Sequence, residues 1–102
     1  MKRIALVAAW LAAVAAPVLA QDDPNLGRNL AATCANCHGT GGVSAGGNES
    51  LAGKRKEDLL KALQDFKSGA KPATIMHQLA KGFSDSQLEA IAAWFAAQKP
   101  AK

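Results

Sequence analysis

Cys34, Cys37 and His38 fall within five consecutive positions of the stretch "TCANCHGTGG", and the 102 residues contain no other cysteine. Two thiols three positions apart can each add to one vinyl group of a single porphyrin, while the adjoining imidazole turns under the iron. This is the C-x-x-C-H pattern of c-type haem attachment, with His38 as the proximal ligand. Other chemistries suit the same residues less well. A disulfide between them would close a very small loop and constrain the unfolded chain little. A thioredoxin-like redox pair needs a βαβ setting. Zinc would have to recruit both histidines, His38 and His77, whose separation fits no finger spacing.

A haem iron held by His38 takes its sixth ligand from elsewhere in the chain. There are two methionines, Met1 and Met76, and the first lies in a segment that reads as a removable leader. Met76 is therefore the expected distal ligand. Its neighbour His77 and an open, exchangeable position are the alternatives. The distinction has a chemical consequence, because a thioether ligand raises the reduction potential relative to a second imidazole.

The leader occupies residues 1–20. Lys2 and Arg3 precede an apolar run from Ile4 to Ala16, too short to span a bilayer. Val18 and Ala20 then stand at the minus-three and minus-one places of a small-residue cleavage site. Secretion across the bacterial inner membrane to the periplasm follows, with no membrane insertion after cleavage. Removing twenty of the 102 residues leaves 82, spanning 21–102, which suffices for one small domain. Of the 12 basic residues two depart with the leader, so ten face eight acidic ones. A surplus this small argues against nucleic acid as a partner. A domain of this size also buries too little surface to be comfortably stable alone, so a cofactor that supplies core is in keeping with its length.

The elements that must position these residues are helices. After the leader the β-branched residues are confined to Thr33, Thr40, Val43, Thr74, Ile75 and Ile91, and tyrosine is absent. Short alternating apolar runs are missing as well, which makes the fold all-α. Asp23 and Pro24 read as the N-cap and first position of a helix reaching about Cys34. Leu59, Leu60, Leu63 and Phe66 mark a second helix from Lys56 to about Lys67, stopped by Gly69 and Pro72. A short helical turn is expected over residues 74–80. Ser84 and Gln87 form a capping box, flanked by Phe83 and Leu88 as a hydrophobic staple, and open a last helix reaching about Gln98. Six glycines between Gly39 and Gly53 leave a stretch that must wrap something or stay loosely ordered.

Over its mature length the chain resembles the small class I cytochromes c. The resemblance is carried by "GRNLAATCANCHGTGG", "SLAG", Met76 and "SDSQLEAIAAWFAAQ". Within that family "DFKSGAKPATIMHQLAKGFSDSQLEAIAAWFA" is most similar to the haem subunit of flavocytochrome c sulfide dehydrogenases. The resemblance implies three to five helices wrapped around one covalently attached haem c. It places the thioethers on Cys34 and Cys37 and the axial iron ligands on His38 and Met76. It also implies a crossing of the first and last helices at Gly27 and Trp94. One position departs from the pattern: relatives often carry a proline just before "SLAG", whose carbonyl accepts the proximal histidine's ring N–H, and here that place is Glu49. A backbone carbonyl remains available there.

The function implied is electron transfer rather than catalysis by this chain alone. The implied donor is the FAD-containing flavoprotein of a sulfide dehydrogenase, and the implied acceptor a downstream carrier such as another cytochrome. A free-standing shuttle between respiratory or photosynthetic complexes shares every haem residue. A ligand-binding or peroxidatic haem protein is a third reading, requiring a weak bond at Met76. Lys54, Arg55, Lys56, Lys67 and Lys71 suit an acidic docking partner, but with Glu57, Asp58 and Asp65 interspersed they read more simply as solvated helix faces.

Overall fold

The computed structural model describes residues 23–101, and the leader expected over Met1–Ala20 lies outside them. Five α-helices and two 3-10 turns make up the regular structure, and there is no strand among the described residues. The helices are α1 (Leu26–Ala31), α2 (Ala35–His38), α3 (Lys56–Ser68), α4 (Met76–Lys81) and α5 (Asp85–Ala96). The all-α reading holds.

The start of α1 departs from the sequence reading. Asp23 does not cap the helix. Its Oδ1 accepts the Asn25 N–H at 2.8 Å and its carbonyl accepts the Leu26 N–H at 3.0 Å, closing a turn with Pro24 in second place. A short carboxylate can satisfy nearby backbone in this way instead of entering a helix, and the turn wins here. Helical backbone then continues beyond Cys34, through a 3-10 turn at Ala32–Cys34 into α2, and stops at Gly39. No breaker precedes that glycine, so the C-x-x-C-H residues share one winding segment.

The later elements lie close to their expected positions. Helix α3 places Glu57 and Asp58 in its first turn, where they complement the helix dipole, and ends on a left-handed Gly69. The short turn expected from Thr74 begins at Met76 instead. The capping box of α5 is formed: Gln87 N–H donates to Ser84 Oγ at 3.2 Å, and Ser84 N–H donates to Gln87 Oε1 at 2.8 Å. This helix ends at Ala96, two residues short of the expected Gln98, whose side chain turns back to donate to the Trp94 carbonyl at 2.7 Å.

Helix α5 is the hub, packing against both α1 and α3. Its Leu88, Ile91, Ala92 and Phe95 are buried and form one cluster with Ala31 and Leu59. Phe83 packs on the same cluster, as the staple requires. At the α1–α5 crossing Gly27 lies directly under Ala90 and Trp94. The glycine-rich stretch is tied to this frame. Gly42 carbonyl accepts the N–H groups of Leu51 and Ala52 at 2.7 and 3.1 Å, and Gly53 N–H donates to the Phe95 carbonyl at 2.9 Å. The loop therefore leaves α2 and returns to α5 as a closed excursion beside the core.

A candidate haem crevice

The buried cluster forms one wall of a cavity of about 380 Å³. Leu51, Leu63, Phe66, Ile75, Leu79 and Phe95 are among the apolar side chains that line it. Cys34, Cys37 and His38 enter from the motif segment, and Met76 enters from the start of α4. All four candidate residues thus share one lining. His77 is not part of it. The Nδ1 atom of His77 is instead buried without a hydrogen-bond partner.

Cys34 and Cys37 are unbridged; the first is half-buried and the second exposed. Burial pushes the Cys34 thiol up, keeping it neutral in this apolar setting. His38 Nδ1 lies 2.6 Å from the backbone carbonyl of Glu49. A carbonyl only accepts, so Nδ1 carries the proton, and the neutral imidazole of this tautomer presents its lone pair on Nε2, as a metal ligand requires. The position that departs from the family's proline therefore still supplies the carbonyl. Beside it, Asn48 Nδ2 donates to the Cys37 carbonyl at 3.2 Å, so two consecutive loop residues are strapped to the motif.

Charge is concentrated at the rim. Lys54, Asp58 and Lys71 line the cavity alongside Glu49. The hydrogen bond from Lys54 holds the Glu49 carboxyl below its ordinary range, and the charges of Lys54 and Lys71 act in the same sense. Lys71 is steadied by its ammonium lying 5.0 Å from the centre of the Phe66 ring. Sequence reasoning did not single out Asn48, Lys54 or Asp58 as lining residues. They come from a loop and a helix start, where no periodicity marks a face.

This donor set fits a haem: two thiols, an imidazole with a free Nε2, a thioether and apolar walls that exclude water from a flat macrocycle. The family model described as cytochrome C oxidase, cbb3-type, subunit III matches residues 22–95. The chain belongs to the class I c-type cytochromes. Haem c is the cofactor of that family. Among curated relatives, this cytochrome is 41% identical over 69 residues to the cytochrome subunit of sulfide dehydrogenase from Chlorobaculum tepidum, covering 68% of this chain and 63% of the relative. It is 40% identical over 91 residues to cytochrome c4 of Azotobacter vinelandii, covering 79% of this chain and 43% of the relative. A thiosulfate dehydrogenase electron acceptor from Stutzerimonas stutzeri is 43% identical over 70 residues, covering 66% of this chain and 32% of the relative. The cytochrome thus spans less than two-thirds of the length of each of these proteins.

The basic residues considered for docking are largely committed within the molecule. Lys54 pairs with Glu49, Lys56 with Glu89 at 3.1 Å and Lys67 with Asp85 at 3.2 Å. Lys67 also donates to the Phe83 carbonyl at 2.8 Å. The simpler reading, solvated faces with interspersed charges, describes them better than a free basic patch. No helix among the described residues is long and apolar enough to cross a membrane.

Proposed function

We propose that this cytochrome carries one haem c, which Cys34 and Cys37 would hold by thioethers and His38 and Met76 by their iron-ligating atoms, and that it transfers single electrons. The observation that supports this is the shared lining: His38 and Met76 enter one apolar cavity from α2 and α4, while His77 stays outside. The bound haem supplies a one-electron couple. The protein's own residues set the conditions for it. Cys34 and Cys37 fix the ring in the cavity, and the Glu49 carbonyl orients His38 through Nδ1. The Met76 thioether favours the reduced state relative to an imidazole. With His38 and Met76 both holding the iron, the chain would offer it no open position for a substrate and would act as a carrier rather than as a catalyst on its own.

The donor we propose is the flavoprotein of a sulfide-oxidising complex, with another cytochrome downstream and the periplasm as the compartment. Similarity to the Chlorobaculum tepidum subunit supports this reading. The second reading is a freely diffusing carrier: cytochrome c4, similar over more of the chain, is not named as a subunit of a dehydrogenase. Native purification separates them. A stable subunit buries a substantial interface, so it should elute with a flavin-containing chain on size-exclusion chromatography at high salt. Elution alone at its own mass, with no flavin absorbance, would establish the shuttle.

A further inference from the structure

We propose that Lys54 is a positioning residue for His38, acting through Glu49. This rests on the reading that His38 is the proximal iron ligand. The carbonyl that holds His38 Nδ1 belongs to a loop tied on either side of Glu49, by Asn48 to the Cys37 carbonyl and by Ser50 Oγ to the Ser44 N–H, while Glu49 itself is held only by His38 and Lys54 among the described residues. A proline here restricts φ through its ring. Glu49 has no such restriction, but its carboxylate is held by the Lys54 ammonium.

The lysine is itself anchored. The preceding residue, Gly53, donates its N–H to the Phe95 carbonyl at 2.9 Å, and Lys54 N–H reaches the Leu51 carbonyl at 3.4 Å. A restraint therefore runs from α5 through Gly53 and Lys54 to the Glu49 side chain, and from the Glu49 backbone to the imidazole. An ion pair replaces the proline ring as the stiffening element. Such a bond to Nδ1 raises the basicity of the ligating imidazole, so whatever holds the carbonyl in place tunes the iron. Lys54 also lines the cavity, so the rival role for it is direct action on the haem's charge without Glu49.

The test is exchange of the His38 Nδ1 proton with solvent, followed by NMR in the reduced holoprotein. In the oxidised protein His38 must first show iron-shifted resonances. Their absence would end the proximal-ligand reading before any variant is made. Lys54→Met and Glu49→Gln should each speed exchange about threefold, the size that a solvent-screened pair allows. Glu49→Pro should keep exchange slow, and adding Lys54→Met to Glu49→Pro should change nothing further. Equal acceleration by Lys54→Met with and without Glu49→Pro would overturn the proposal in favour of direct action. Unchanged exchange in both single variants would overturn it as well. If Glu49→Pro does not fold, the exchanged pair Glu49→Lys with Lys54→Glu takes its place: recovery of slow exchange supports the proposal and failure to recover it refutes it.

Discussion

Gly27 and Trp94 meet where α1 crosses α5: a Cβ at position 27 would fall 2.8 Å from the Ala90 carbonyl oxygen and 3.0 Å from Trp94 Cβ. Glycine inside a helix ordinarily costs about 1 kcal/mol relative to alanine. The crossing explains why it is tolerated. Gly27→Ala should destabilise the protein by about 1–3 kcal/mol despite its better propensity, because the helices must separate. Denaturant unfolding measures this as a lower midpoint. A raised midpoint would mean that α1 and α5 can move apart freely.

Met76 and His77 make opposite predictions. Met76→Ala should abolish the weak charge-transfer absorption of an iron–thioether bond and open the iron to cyanide or carbon monoxide at neutral pH. His77→Ala should leave both properties as they are. Ready binding of either gas or anion by the unaltered protein would instead favour the ligand-binding or peroxidatic reading.

Gly42 is held by two independent constraints. Its φ is +81°, and a Cβ there would lie 2.7 Å from Phe95 Cδ1 and 2.9 Å from the Ala52 nitrogen. Neighbouring Gly41 also has a positive φ, +66°, but open space around it. Gly41→Ala should cost about 1–2 kcal/mol of backbone strain. Gly42→Ala adds overpacking against a fully buried ring, for a total of about 3 kcal/mol or more. Thermal unfolding of the two variants should differ accordingly, and equal melting temperatures would remove packing from the explanation.

The capping box of α5 can be tested by Ser84→Ala, which leaves the Gln87 N–H without its side-chain acceptor. A loss of about 1 kcal/mol is expected. Hydrogen exchange should quicken first in the opening turn of α5, and faster exchange confined to the other end of the helix would contradict this origin.

Several local signals are legible without coordinates. Ser84 and Gln87 are three positions apart, and the capping box needs nothing else. The C-x-x-C-H residues sit on one winding segment because no breaker interrupts it before Gly39. Asp23 shows the limit of the same reasoning, since a carboxylate beside proline can cap a helix or close a turn, and residue type does not decide between them. Met76 and His77 show a deeper limit. Adjacent residues on an α-helix point about 100° apart, so only the seating of α4 against α3 decides which of them faces the cavity. The same holds for Asn48 and Glu49, which reach Cys37 and His38 from a loop without periodicity, and for Lys54, which pairs with Glu49. The sequence by itself determined the helical class, the attachment motif and the candidates for the iron. Tertiary packing decided which candidates share a cavity and which carbonyl holds the histidine, because both depend on contacts between segments far apart along the chain.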